Sequence, residues 1–319
     1  MPNALLDFEK PLIELGAKIE ELVKFGSEKG IDLSDEIKTL QAKADSLKKE
    51  IYGNLSPWQR ITIARHPERP GVVDYIKMLF EGFIELHGDR FYGDDPAVIV
   101  GIAKFHGQPV TVIGNVRGKD TKENIACNFG YAHPEGYRKA LRLMEQAEKF
   151  GRPVFTFIDT PGAYCGIGAE ERGEAWAIAE NLTRMATLKV PVICTITGEG
   201  GSGGALAIAV GDHIMMLENA VYSVCTPETF ATILWKDMSL AQDAAAVMKG
   251  TAKDLAELGV IDEIIAEPMG GAHKNHQETA KILDKSLLKA LNTLKKIPLD
   301  QLTKKRQEKF RSIGQYISG

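Results

Sequence analysis

A run of small residues at 198–204 is the part of the sequence best suited to chemistry. Five of its seven residues are glycine, an apolar stretch (190–196) precedes it, and Ala-Leu-Ala-Ile follows it. Glycine lets the backbone approach a ligand closely, and the first N–H groups of a helix have no partner within the helix. Such N–H groups bind negative charge. The run therefore predicts an oxyanion-binding turn between a buried strand and a helix.

Two other interpretations of this run stay open. Gly198, Gly200 and Gly203 satisfy the dinucleotide-binding fingerprint, and Glu218 lies 20 residues beyond the first glycine. Against that interpretation, only about eight residues lie between Gly203 and Asp212, whereas a dinucleotide-binding crossover needs about ten or more. The last interpretation assigns the glycines to close packing alone, and we expect packing to explain one or two of the five.

A second segment of similar composition, residues 159–164, follows the apolar stretch 154–158. Because parallel strands end at the same edge of a sheet, we expect the two segments to form one site. Asp159 is interpreted as a turn or cap acceptor and not as a general base. Arg172 places a cation beside both segments, where it could hold a carboxylate. The other residues expected to contact a substrate are Gly162, Ala163, Tyr164, Cys165, Gly200 and Gly201.

Short strands that alternate with helices position these segments. Apolar runs bounded by Gly, Pro or Asp predict strands at 97–102, 109–113, 154–158, 190–196, 213–217, 221–224 and 260–265. Helical periodicity predicts helices at 137–147, 169–188, from 203 onward and at 254–258. This order favours an α/β fold with largely parallel strands, and the paired strands indicate a spiral of β-β-α units.

Helical segments flank this predicted core, which spans residues 54–270. Residues 1–53 are predicted to form a helical hairpin, helical from Leu5 to Tyr52, in which Ser34 is the N-cap of the second helix. Its seam could pack on the core or on a partner, and packing on the core is favoured. A connector with a short helix at 75–86 follows. Residues 271–319 form a C-terminal helical segment that Pro298 interrupts. Its basic residues are expected on a solvated helix face: Lys304, Lys305, Arg306, Lys309 and Arg311.

Composition argues against several classes of protein. The net charge is −4 and the isoelectric point is about 6.0 over 319 residues, so no global field attracts nucleic acid or an anionic membrane. The four cysteines and seven histidines lack the spacing of zinc ligands, so we expect no metal in this chain. No stretch approaches the roughly 20 apolar residues of a membrane span. We therefore expect a cytoplasmic protein with free thiols.

Several motifs together resemble the α subunit of bacterial acetyl-CoA carboxylase carboxyltransferase, and the resemblance covers essentially the whole chain. They lie at 128–130, 134–144, 159–164, 169–173, 198–206, 233–237 and 270–273. The resemblance implies a crotonase fold and an α2β2 assembly with a β subunit that carries a zinc ribbon and the acyl-CoA site. It also implies biotin as the cofactor, present as carboxybiotin on a separate carrier protein and supplied by biotin carboxylase.

The activity implied by this resemblance is carboxyl transfer to acetyl-CoA, which gives malonyl-CoA in the first committed step of fatty acid synthesis. Carboxybiotin supplies both the CO2 and the base in that reaction, so the protein must provide N–H donors. By resemblance, the pair that binds the ureido oxygen of biotin is Gly203 and Gly204. Removing one such donor costs on the order of 3 kcal/mol of transition-state stabilisation, so backbone dipoles suffice for catalysis.

Several positions depart from the family pattern and are expected to alter the walls of the pocket. Cys165 stands where Pro is usual, and Thr229 replaces a Gly, where a β-branched residue would penalise a positive φ and reshape a turn. The others are Val116 for Gln, Cys127 for Arg, Glu174 for Gln, and a bulky Trp176. Two alternatives therefore stay open: a specialised paralogue that carboxylates or decarboxylates another acyl thioester, and a non-catalytic scaffold subunit.

Overall fold

Residues 6–314 are described by a computed structural model, and they begin with a helical hairpin. Helix α1 spans Lys10–Lys29 and α2 spans Ser34–Gly53. The N-cap position is Leu33 and not Ser34 as predicted, because the Ser34 N–H already bonds the Asp32 carboxylate at 3.0 Å. No residue of either helix is buried. The hairpin therefore packs mainly on itself, so the favoured expectation that its seam packs on the core is wrong, and packing on a partner stays a prediction. Leu5 lies outside the described residues.

The connector holds two short helices and a strand. Helix α3 spans Pro57–Ala64, α4 spans Val72–Leu79, and β1 spans Glu81–Glu85. The helix predicted at 75–86 is therefore wrong beyond residue 79. The residues after α4 pair antiparallel with the next strand, with Ile84 opposite Ile102. This long-range pairing overrides the local helical pattern.

One mixed sheet forms the centre of the molecule. Its other strands are β2 (Val98–Phe105), β3 (Gln108–Asn115), β4 (Val154–Thr160), β5 (Val192–Gly201), β6 (His213–Leu217), β7 (Val221–Ser223) and β8 (Glu263–Ile265). The order is β1-β2-β3-β4-β5-β6-β8, and β7 pairs with the far end of β5. β2 and β3 form an antiparallel hairpin, and the pairs from β3 onward are parallel. Each predicted strand is present; β6 has the predicted ends, and the other strands have shifted ends.

Helices cover the sheet. They are α5 (Thr121–Ala126), α6 (Pro134–Lys149), α7 (Ile167–Glu171), α8 (Glu174–Met185), α9 (Ser202–Leu206), α10 (Pro227–Trp235), α11 (Ala241–Val247), α12 (Ala252–Glu257), α13 (His276–Leu294) and α14 (Leu299–Ser312). The single helix predicted at 169–188 is two helices, because Gly173 adopts a left-handed conformation with φ 81°.

The last helix is attached to the core by a buried arginine. Arg306 is 1% exposed, and its guanidinium donates to both carboxylate oxygens of Asp212 at 2.9 and 2.6 Å. It also donates to the carbonyl oxygens of Leu188 and Val190. The expectation that this residue lies on a solvated face is therefore wrong. A guanidinium with this many acceptors can be buried, because each N–H finds a partner.

Candidate active site

The glycine run is part strand, part turn and part helix. Strand β5 continues through Gly201 and pairs Gly200 with Thr160 of β4, and α9 begins at Ser202. The prediction of a turn is therefore wrong for the first four residues of the run. The chain turns at Ser202, whose φ is 54°, a left-handed conformation that non-glycine residues seldom adopt.

Close packing requires most of these glycines. A Cβ atom would collide with neighbouring atoms at Gly198, Gly200, Gly201 and Gly204. Gly203 differs, since the nearest atom to its Cβ position is Ile178 Cδ1 at 3.6 Å, an ordinary van der Waals distance. Packing thus accounts for four of the five glycines, more than the one or two that we expected. Close packing at a Cβ position does not itself engage the N–H groups of Gly203 and Gly204, so it is compatible with anion binding there.

The two glycine segments meet at Gly204, as expected from the sequence. A Cβ atom there would lie 2.5 Å from the backbone nitrogen of Ala163 and 2.8 Å from the carbonyl oxygen of Gly162. Gly203 and Gly204 lie in the first turn of α9, where N–H groups have no carbonyl four residues earlier in the helix. No side chain caps this helix. The junction can therefore bind an anionic oxygen through backbone donors.

Hydrogen bonds fix the loop that faces α9. Thr160 Oγ1 accepts from the N–H of Gly162 at 3.1 Å, and Tyr164 N–H donates to the carbonyl of Ala132 at 2.9 Å. The Tyr164 ring packs on the His133 ring with centroids 4.3 Å apart. The backbone of this loop is therefore held in place by hydrogen bonds to Thr160 and Ala132.

A buried ionic network lies beside this loop. Asp159 accepts from the N–H of Glu199 on the neighbouring strand β5 at 3.0 Å, so it is an acceptor between strands and not the turn or cap acceptor that we expected, and burial raises the pKa of its carboxyl. Glu199 pairs with Arg65 at 2.6 Å and Arg117 at 3.2 Å, and Arg65 continues to Glu228 at 2.7 Å. Sequence reasoning missed both arginines. The available signal was Glu199, because an acid inside a buried strand needs a cation.

Arg172 is already paired within the chain. Its guanidinium donates to Glu135 at 2.8 Å and lies 4.5 Å from the centroid of the Tyr92 ring. The carboxylate that it holds here is therefore the protein's own. Cys165 and Trp176, two departures from the family pattern, are both exposed, and 74% of Trp176 is accessible.

Next to Gly203 lies an apolar cavity of about 490 Å³ that the sequence did not indicate. Lys249 is the charged residue of its lining, and the remaining walls combine small and apolar side chains. They are Ser202, Leu206, Tyr222, Ser223, Val224, Phe230, Met248, Leu255, Leu258 and Val260. A ring-sized apolar group can enter here while a polar edge reaches the backbone of α9.

Three other residues that depart from the family pattern do not line the cavity beside Gly203. Thr229 is in the first turn of α10, where its N–H donates to Thr226 Oγ1 at 3.2 Å. It is therefore helical, and the expected penalty on a positive φ does not arise. Val116 and Cys127 line a separate cavity of about 350 Å³, and burial raises the pKa of the Cys127 thiol.

Other features of residues 6–314 bear on whether the chain binds a dinucleotide, holds a metal or crosses a membrane. Helix α9 has five residues, too short for the crossover of a dinucleotide-binding fold, and the Glu218 side chain accepts from the N–H of Glu267 at 3.3 Å. The described residues contain no group of three or more His, Cys, Asp or Glu that could hold a metal. Nor does this part of the chain contain a helix long and apolar enough to cross a membrane.

The arrangement of the sheet and its covering helices defines a fold class, which solved transcarboxylase, carboxylase and malonate decarboxylase structures share. Transcarboxylase 12S superposes with a TM-score of 0.57 at 17% identity, over 70% of this chain and 41% of that one. The β subunit of geranyl-CoA carboxylase from P. aeruginosa gives 0.56 at 16%, over 75% and 45%. A Pseudomonas malonate decarboxylase hetero-tetramer with coenzyme A gives 0.56 at 18%, over 67% and 86%. At these identities the likeness concerns the fold.

Sequence comparison resolves the family within this class. The family model described as acetyl co-enzyme A carboxylase carboxyltransferase-like matches residues 5–314. The acetyl-coenzyme A carboxylase carboxyl transferase subunit alpha of Carboxydothermus hydrogenoformans is 60% identical over 317 residues, 99% of this chain and 98% of that protein. The same subunit of Halalkalibacterium halodurans is 61% identical over 311 residues, 98% and 96% of the two chains.

The chain therefore belongs to the family of acetyl-CoA carboxylase carboxyltransferase α subunits. This membership confirms the resemblance found in the sequence and the expected crotonase-like α/β fold. The motifs at 159–164 and 198–206, which carried much of the resemblance, are the two segments that meet at Gly204.

Proposed function

We propose that the chain is the α subunit that moves the carboxyl group from carboxybiotin, on its carrier protein, to acetyl-CoA. The product is malonyl-CoA, and the reaction is the first committed step of fatty acid synthesis. Membership of the family and 60% identity to a named α subunit over nearly the whole chain support this proposal.

The contact between α9 and the loop before α7 is the observation that supports the proposed chemistry. We assign the N–H groups of Gly203 and Gly204, which lie in the first turn of α9, to the ureido oxygen of biotin. A backbone donor that is held in position needs no reorganisation as negative charge develops, which is why such donors lower a barrier. Because α9 is short, the donors themselves rather than a helix dipole provide the stabilisation.

The residues around Gly203 fit the proposed cofactor. Biotin is a largely apolar bicyclic ring with one polar ureido edge, and the cavity beside Gly203 is largely apolar with backbone donors at its margin. When bound, carboxybiotin supplies the CO2 and the base. The chain's own part is to bind the ureido oxygen through Gly203 and Gly204 and to exclude water with Leu206, Tyr222 and Phe230.

The partners are also part of the proposal. We place the acyl-CoA site on a zinc-ribbon β subunit in an α2β2 complex in the cytoplasm, with biotin carboxylase charging the carrier. Exposed apolar side chains on α10 support a protein partner, because Ile233 and Leu234 are 57% and 59% accessible.

Reconstitution tests this function. The chain is mixed with the β subunit from its own genome, and carboxylation of biotin is followed with malonyl-CoA as the carboxyl donor. We expect turnover with malonyl-CoA. Turnover with a different acyl-CoA and none with malonyl-CoA would identify a specialised paralogue. Absence of turnover with every thioester would favour the scaffold.

A further inference from the structure

The first residue of α8, Glu174, is a buried acid without a hydrogen bond. The residue is 6% exposed, and neither carboxyl oxygen has a hydrogen-bond partner among the described residues. Burying an ionised carboxylate in this way is expensive, and most buried polar groups are paired. The side chain therefore requires an explanation other than stability.

Acids and a phenol face Glu174 from the neighbouring elements. Asp95, in the segment before β2, and Glu135 on α6 both oppose its ionisation. The hydroxyl of Tyr137, also on α6, is buried and unpaired among the described residues. Burial and the charge of Glu174 both raise the pKa of Tyr137. Burial and the two acids therefore favour a neutral Glu174.

Two arginines lie near the Glu174 carboxyl, but both form ion pairs with other acids. Arg138 on α6 donates to Asp89 at 2.8 Å and to Glu135 at 2.9 Å. Arg172, in the link between α7 and α8, donates to Glu135 at 2.8 Å. Burial together with the two acids therefore outweighs them and raises the pKa of Glu174 to about 8. At pH 7 the carboxyl is mostly protonated.

Glu174 also lies beside the loop that faces Gly204. The N–H of Tyr164 is close enough to lower the pKa of Glu174, but it donates its hydrogen bond to Ala132 O at 2.9 Å. Ala132 forms a β-bridge with Ala163, whose backbone nitrogen packs against Gly204. An ionised Glu174 would compete with Ala132 for the Tyr164 N–H, because a carboxylate is the stronger acceptor.

We infer that Glu174 is a positioning residue for the carboxyl transfer proposed above. The protonated side chain leaves the Tyr164 N–H on Ala132 and so holds Ala163 against Gly204. The ionised side chain draws that N–H away and disturbs the donor junction. The catalytic effect of Glu174 rests on the proposed function. The protonation state of its carboxyl does not.

Glu174→Gln tests the catalytic consequence in the reconstituted complex, because the amide has the same shape and does not ionise. We expect the wild-type turnover number to fall about ten-fold between pH 7 and pH 9, the change for one proton that titrates near pH 8. The glutamine variant should fall less than two-fold, with the KM for acyl-CoA unchanged in both. Glu180→Gln, an exposed change on the same helix, should behave like wild type. An equal fall in Glu174→Gln and wild type would overturn the inference.

An infrared titration of the purified full chain needs no turnover. We expect the carbonyl band of a protonated carboxyl to disappear in the wild type with a midpoint near pH 8. The band should be absent from Glu174→Gln and present in Glu180→Gln. If the complex shows no activity but the band titrates, the proposed function fails and the proton assignment stands. A wild-type chain without the band at pH 7 would refute the assignment.

Discussion

At the scale of single residues, two buried threonine hydroxyl groups differ in whether they form a hydrogen bond. Thr160 on β4 and Thr195 on β5 are both fully buried. Thr160 Oγ1 accepts from Gly162 N–H in the loop that faces Gly204, whereas Thr195 Oγ1 has no partner among the described residues. The two positions therefore offer the same substitution with opposite expectations.

Thr160→Val should destabilise the chain by about 1–3 kcal/mol, because it leaves the Gly162 N–H buried and unsatisfied. It should also lower the turnover number of the complex, since the loop loses an anchor. Thr195→Val should be neutral or slightly stabilising, because it removes a group that is already unpaired. Urea unfolding measures both. Equal effects of the two substitutions would mean that the Thr160 bond contributes nothing.

Glu174 makes a further prediction, about stability. Its pKa rises from an ordinary 4.5 to about 8 on folding, so between these values the unfolded chain has lost a proton that the native chain keeps. The unfolded chain then binds fewer protons, and stability falls as pH rises through this window and levels off above pH 8. The slope is at most about 1.4 kcal/mol per pH unit for one proton.

Glu174→Gln should therefore be more stable than wild type, by an amount that grows from pH 5 to pH 8 and then stays constant. Urea unfolding at pH 5, 7 and 9 measures the difference, with Glu180→Gln as the control that should track wild type. If the stability difference between Glu174→Gln and wild type does not change with pH, the assignment of a proton to Glu174 is contradicted.

At the scale of elements, the last helix provides the clearest prediction. Arg306→Met should cost about 3–5 kcal/mol, because it leaves Asp212 buried without its cation. Lys305→Met, one residue earlier and exposed, should change stability by less than about 0.5 kcal/mol. Differential scanning calorimetry separates the two. A small effect at position 306 would mean that α14 is not held by this ion pair.

The helices and strands that depend on local residues could be predicted from the sequence, and those that depend on distant partners could not. Local patterns found strands β2 to β8 and the break at Pro298, because apolar runs and proline act within a few residues. The same reasoning placed a helix over β1 and a solvated face at Arg306, since both depend on distant partners, Ile102 and Asp212. The extension of β5 to Gly201 was missed because glycine locally favours a turn, whereas pairing with β4 and β7 keeps these residues extended.

At the scale of the whole molecule, the site could be predicted in outline but not in detail. The sequence indicated that two glycine segments meet, and the structure places Gly204 against Ala163. It did not indicate the apolar cavity beside Gly203, whose walls come from residues up to 260. Nor did it indicate Arg65 and Arg117, which reach the site from separate segments. The cavity and the two arginines could be located only from the tertiary fold.

The central claim is that the junction at Gly204 holds the catalytic donors, and two alanine variants test it most directly. In the reconstituted complex, carboxylation of biotin with malonyl-CoA is measured for Gly203→Ala and Gly204→Ala. Both retain their N–H groups, but only the second adds an atom against Ala163. We predict turnover within about three-fold of wild type for Gly203→Ala, and a loss of about 100-fold or more for Gly204→Ala, the effect of a displaced oxyanion donor. Equal activity of the two folded variants would contradict the account.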